Sequence, residues 1–310
     1  MESLPLLSTL ITFSILSPVY ADSPSIRVVN GTEAKLGQFP FAVAIVQNYG
    51  TGRPICTGSL ITPKNVLTAA HCFRTSDVVK RRALLAGETS PYRPSSEKPP
   101  PSKQLRKIAS VTNHPQAFDK GGNTDAEFDV GVLGVEEPFI LSSNVATISI
   151  AKRALDNLSL CIALGFGRNV DGPDGVEESN RKLYYGEFTV NSRKCDSEFW
   201  KKTTYCIYSS QRITHHGDSG GPLIGRYGWQ NYQYGINSAA IRKPDYKATI
   251  YTNAVFHREW IMNNIDLGYR LRESGESGSS VITFLNLLLF LTGPSTYISF
   301  NSLKLASSGF

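Results

Sequence analysis

The hydrophobic residues of this chain come in short clusters, most of them bounded by glycine, proline or polar residues. Residues 41–46 are apolar over the length of a β-strand, and Gly58-Ser59-Leu60-Ile61 begins another. Val130-Gly131-Val132-Leu133 forms an apolar strand directly after Asp129. Residues 254–261 have helical spacing and predict a helix that closes the ordered part of the chain. Residues 90–103 are polar and proline-rich, which predicts an exposed loop with local polyproline character, inserted between strands. Two further apolar runs lie near the ends, at 6–19 and 281–291. Short strands and frequent turns predict an all-β chain, and 26 glycines with 17 prolines point the same way.

At 310 residues the chain is long enough for one large or two small compact units. It is 41% hydrophobic and 19% charged, ordinary for a globular protein and wrong for a disordered one. The net charge of +6 is spread over basic pairs such as Arg81-Arg82, Lys152-Arg153 and Lys201-Lys202. No basic run is interleaved with aromatic residues along the sequence, so these charges read as solvated surface and nucleic acid is not an expected partner. Residues 1–21 read as a secretory signal: an apolar segment ends at Ala21, and Pro5 and Pro18 argue against a core helix, although Glu2 stands where a basic residue is usual. Secretion implies an oxidising compartment in which cysteines pair, and five cysteines cannot all pair internally.

The chemistry centres on Gly217-Asp218-Ser219-Gly220-Gly221-Pro222. Ser219 is the candidate nucleophile, and the flanking glycines let a substrate carbonyl approach the main chain. The amides of Gly217 and Ser219 are candidate donors to the oxyanion that forms on attack. A serine hydroxyl needs a base, and the base needs an orienting carboxylate. Val66-Leu67-Thr68-Ala69-Ala70-His71-Cys72 supplies His71 as the candidate base, and Asp129, followed by its apolar strand, is the candidate carboxylate. Asp125 is the rival, but no apolar strand directly follows it.

These motifs, in the order His71, Asp129, Ser219, resemble those of the chymotrypsin/trypsin-like serine endopeptidases, over residues 28 to about 265. The resemblance implies two six-stranded antiparallel β-barrels with a C-terminal helix and an active-site cleft between the barrels. The expected units are a signal (1–21), an activation peptide (22–27), a first barrel (28–145), a second barrel with the closing helix (146–266) and a tail (267–310). The implied reaction is peptide hydrolysis through an acyl-enzyme on Ser219, without metal or organic cofactor. It also implies a zymogen: cleavage after Arg27 frees the amino group of Val28, which pairs with Asp218.

Further expectations follow from the resemblance. Disulfides Cys56–Cys72 and Cys195–Cys206 match family bridges, while Gly225 and His215 stand where cysteines are usual, leaving Cys161 as a buried free thiol. Phe166 and Ala239 replace tryptophans, and His215-His216 is unusual beside the candidate oxyanion donors. Asn113-His114-Pro115 resembles a family turn, so His114 has no expected chemical role. Ser219 lies 13 positions after Cys206, the family's usual spacing, and Ile213, six before the serine, falls at the floor of the specificity pocket. Ala240 and Thr249 fall at its walls. An isoleucine floor cannot pair with Arg or Lys, so the pocket resembles those of elastases and should prefer small or medium apolar residues. Expected partners are protein or peptide substrates, an activating protease that cuts after Arg27, and protein inhibitors. Asn30 and Asn157 begin glycosylation motifs. The run at 281–291 is a candidate membrane tether, but too short for a spanning helix, which needs about 20 residues. The alternative function is a protease homologue without catalysis that acts as a binding or inhibitory module.

Overall fold

A computed structural model describes residues 31–47, 53–75, 79–91, 98–156, 159–167, 182–190, 195, 201–208, 214, 216–243 and 246–265. A two-residue strand, β1 (Thr32–Glu33), precedes β2 (Ala42–Gln47), β3 (Pro54–Thr62), β4 (Asn65–Thr68), β5 (Arg82–Ala86), β6 (Gln104–Asn113) and β7 (Gly131–Val135). Strands β2-β3-β4-β7-β6-β5 close into a barrel. Residues 42–46 of β2 are buried throughout, which explains why that strand reads as an unbroken apolar run. β6 has no such signature, because its residues are half-buried or exposed along its whole length. β3 starts four residues earlier than its apolar core suggests, at Pro54.

The second half contains β8 (Ser149–Ile150), β9 (Leu160–Gly165), β10 (Tyr184–Thr189), β11 (Thr204–Tyr208), β12 (Pro222–Tyr227), β13 (Gln230–Lys243), β14 (Tyr246–Asn253) and a helix, α1 (Arg258–Asn263). Its strands run β1-β10-β9-β12-β13-β14-β11, with β8 parallel to β13. The all-β expectation and the closing helix hold, and the first six-stranded barrel is closed. The second is not closed among the described residues: it is an eight-stranded sheet. Its edge strand β1 comes from the N-terminal side of the first barrel, pairing Thr32 with Tyr185 and Glu33 with Tyr184.

One apolar core joins the two halves. It runs from Val43 and Leu85 in the barrel through Phe166 and Ile236 to Ile261 of α1. Phe166, standing where the family has tryptophan, is fully buried. A second cluster fills the other face of the second sheet with Leu223, Tyr251 and Cys161. Cys161 is a buried free thiol, its pKa pushed up to about 12 by burial, and disulfides join Cys56 to Cys72 and Cys195 to Cys206.

Residues 254–257 form turns, so α1 starts later than its spacing suggests. The helix docks through a ring cluster. His114 stacks on Phe128 at 5.1 Å between centroids and meets His257 and Trp260 at 5.0 and 5.1 Å. His257 Nε2 donates to the Glu127 carbonyl at 2.7 Å, and the Glu127 carboxylate pairs with Lys201. Burial lowers the pKa of both histidines; the charge of His257 lowers that of His114 further, while the Glu127 bond partly opposes the shift of His257. Each folded value therefore lies below the unfolded value of about 6.5, so the unfolded chain binds protons first as pH falls. The contribution to stability is complete above about pH 6.5 and is lost as pH falls through the folded values. Urea midpoints between pH 7.5 and 5 should fall with acidification, and His114→Gln should fall less steeply. Equal slopes would contradict this account of the cluster.

Candidate active site

The short 3-10 turn Ala70–Phe73 carries His71 out of β4, and Asp129 enters the same place just before β7. Asp129 is fully buried. One carboxylate oxygen accepts the backbone N–H of His71 at 2.9 Å; the other accepts His71 Nδ1 at 2.6 Å and the Ser238 hydroxyl at 2.6 Å. A carboxylate only accepts, so Nδ1 carries the proton and the remote nitrogen Nε2 is left with a lone pair. The imidazole is 23% exposed. The turn itself is fastened at both ends. The Cys56–Cys72 bridge ties it to β3, and Asn113 Nδ2 donates to the Phe73 carbonyl at 2.9 Å. A nitrogen of His71 lies within 4.8 Å of both sulfurs, but these are bonded to each other and offer no thiolate to a metal.

Asp125 does not compete for His71. It is exposed, and its carboxylate accepts the Glu127 N–H two residues on.

Ser219 lies on the turn that leads into β12. Gly217 and Gly220 have φ of 102° and 82°, values a side chain would strain. Gly220 is also pressed against the first barrel: an added Cβ would lie 2.0 Å from Thr68 Oγ1 and 2.9 Å from the Ala69 nitrogen. This contact brings the serine loop to the strand end that precedes His71. Thr57, on β3, fastens the loop from below. Its N–H donates to the Ser219 carbonyl at 2.8 Å, and its hydroxyl donates to the Gly217 carbonyl at 2.8 Å while accepting the Phe166 N–H at 3.0 Å. Among the described residues, the N–H groups of Gly217 and Ser219 make no hydrogen bond, and none joins the Ser219 hydroxyl to His71.

Asp218 is 1% exposed and accepts the Gly167 N–H at 2.8 Å. It fits there only because its neighbours lack side chains: a Cβ on Gly165 would lie 2.2 Å from its carboxylate. Burial and the Asp218 charge together raise the pKa of the fully buried Tyr251. Val28, the expected partner of Asp218, lies outside the described residues, as do Arg27, Asn30, Asn157, His215 and Ile213. So do the signal, the activation peptide and the tail from 266 onward. No described helix is long and apolar enough to cross a membrane.

The expected pocket walls lie opposite each other, Ala240 on β13 pairing with Thr249 on β14. Ala239 and Ala240 are exposed, whereas Thr249 is 3% exposed and its hydroxyl meets Thr214 Oγ1 at 3.2 Å. Arg242, on the same face of β13 as Ala240, donates to the Thr214 carbonyl at 2.8 Å, with Lys247 opposite it across the strands.

Three residues central to this geometry escape a motif-based reading. Ser238 reaches Asp129 because a bulge between Asn237 and Ala239 shifts the register and re-aims the strand. Thr57 and Arg242 act through contacts with residues 160 and 28 positions away. The only sequence signal is that Ser238 adjoins Ala239 and Ala240, which the resemblance places at the pocket.

A closed barrel, an adjoining antiparallel sheet and a short C-terminal helix, with His71, Asp129 and the Ser219 loop at their junction, define a chymotrypsin-like fold. The family model described as trypsin matches residues 28–261, more than half of the chain, so the chain belongs to the trypsin family. It is 24% identical over 248 residues to hypodermin-A of Hypoderma lineatum and 25% identical over 248 residues to trypsin beta of Drosophila erecta, covering 77% of this chain and 88% of each relative. Among solved structures it is similar to neuropsin, a serine protease expressed in the limbic system of mouse brain, at 25% identity and a TM-score of 0.63, covering 76% of this chain and 99% of that one. Membership of this family supports a protease function acting on protein or peptide substrates.

Thr57→Val keeps the shape of the side chain but strands the Gly217 carbonyl and the Phe166 N–H. Its unfolding free energy should fall by about 1–3 kcal/mol. A denaturant midpoint indistinguishable from wild type would show that Thr57 does not hold the loop.

Proposed function

We propose that this chain is a secreted serine endopeptidase, made as a zymogen and activated by a protease that cuts after Arg27. The observation that carries the catalytic reading is the buried Asp129 carboxylate bonded to both nitrogens of His71 that face it. Asp129 fixes the tautomer and stabilises the imidazolium that forms during attack. His71 Nε2 takes the proton of the Ser219 hydroxyl as Oγ bonds to the substrate carbonyl carbon. The oxyanion is received by the N–H groups of Gly217 and Ser219. His71 then gives the proton to the leaving amine, and water repeats the sequence to release the acid. This chemistry draws only on groups of the chain itself.

Zymogen control fits the burial of Asp218. A carboxylate held in so dry a site favours a new ammonium from Val28 over water. Specificity for small or medium apolar residues before the scissile bond rests on the Ile213 floor and the methyl-bearing walls Ala240 and Thr249. Arg242 and Lys247, both cationic beside Thr214 and Thr249, favour the same reading by repelling Lys and Arg side chains.

The test is to cut the protein after Arg27 and treat it with a serine-directed fluorophosphonate. Labelling is expected in the cut protein and absent in Ser219→Ala. Correctly cut, folded protein that takes no label would favour the non-catalytic binding or inhibitory module. On a peptide library the cut protein should cleave after Ala, Val and similar residues. Cleavage dominated by Arg or Lys would overturn the pocket assignment alone.

A further inference from the structure

Strand β13 carries a second concentration of chemistry at its other end. Ser238 and Tyr232 are six residues apart, so at ~3.3 Å per residue the two ends lie about 20 Å apart. There, β8 runs parallel to Tyr232 and Gln233, and the Ala151 N–H donates to the Gln233 carbonyl at 2.9 Å. This brings Lys152 and Arg153 beside the β12–β13 hairpin and encloses a cleft of about 470 Å³. Tyr227, Tyr232 and Tyr234 line it, and the pKa of Tyr234 is raised first by burial and then by its neighbours Cys161, Tyr232, Asp156 and Tyr227. Lys152 and Arg153 are exposed, with no acidic partner among the described residues. The hairpin turn also presents Trp229, 92% exposed, with the Arg226 guanidinium 5.7 Å from its ring, and Tyr227, 67% exposed. Two large aromatics thus stand bare within three residues of one hairpin turn.

We propose that this cleft binds a sulfated glycan chain. The cations offer point charges to sulfate groups, and electrostatic attraction raises the rate of encounter. The phenols and Gln230 offer hydrogen bonds to sugar hydroxyls, and the exposed rings of Tyr227 and Trp229 offer flat apolar faces to pyranose rings. An acidic peptide has carboxylates for the charges but no pyranose faces for the exposed rings. The cleft is remote from His71 and Ser219, so this proposal does not depend on the protease reading.

The full chain is titrated with a heparin octasaccharide, its fully desulfated form and a poly-glutamate of matching charge. The heparin probe should bind most tightly. Lys152→Ala/Arg153→Ala should weaken it on the order of tenfold, as expected for two lost charge contacts. Trp229→Ala should weaken it severalfold without changing its salt dependence, because a stacking contact is not screened. Cleavage of a short peptide by the cut protein should be unchanged in both variants. Lys64→Ala/Lys120→Ala, remote exposed cations, should bind like wild type, which separates this site from general attraction to a chain of charge +6. Equal binding of the desulfated probe or of poly-glutamate, an equal loss in the Lys64/Lys120 variant, or no binding would overturn the proposal.

Discussion

Everything at the junction of the two halves depends on one buried charge. The Asp129 carboxylate is fully out of water, where an unpaired anion would cost several kcal/mol. Its compensation is a set of three donors, two from the His71 turn and one from Ser238. The first two belong to the closed barrel and the third to the second sheet. A displacement of either half would therefore leave the anion short of a donor. Other polar contacts cross the seam beside the apolar core. Ser59 donates to Gln233 across it at 2.6 Å, Thr252 donates to the Ala126 carbonyl at 2.9 Å, and Thr57 holds the serine loop.

Asp218, another buried carboxylate, is held differently. It receives the Gly167 N–H and is packed against Gly165, and it lies one residue from the serine. Asp129 holds His71, whereas Asp218 packs within the loop that carries Ser219 and the two unbonded amides. Thr57 connects the two systems. Its carbonyl accepts Thr68 Oγ1 on the strand that leads to His71, and its N–H and hydroxyl bond the serine loop. One threonine thus couples the placement of His71 to that of the Ser219 loop.

Local motifs made much of this legible. Residues 41–46 read as a strand because the strand is buried along its length, and Asp129 outranked Asp125 because an apolar strand follows it directly. Both disulfides and the buried Cys161 also follow the resemblance. What was illegible depends on register and on long-range contact. β6 lacks an apolar run because it is half-exposed. The bulge that aims Ser238 has no local signature, and neither does the crossing of β1 into the second sheet. Lys152-Arg153 looked like dispersed surface charge, since its aromatic neighbours lie some 75 to 80 positions later and meet it only through the parallel β8–β13 pairing.

Asp129 holds the imidazole proton of His71 on Nδ1. Asp129→Asn preserves the shape but can present an amide N–H to Nδ1, which moves the imidazole proton to Nε2 and removes the base. In correctly cut protein whose circular dichroism matches wild type, kcat/KM on a peptide substrate should fall on the order of 10³–10⁴-fold. A rate within about tenfold of wild type would contradict the account.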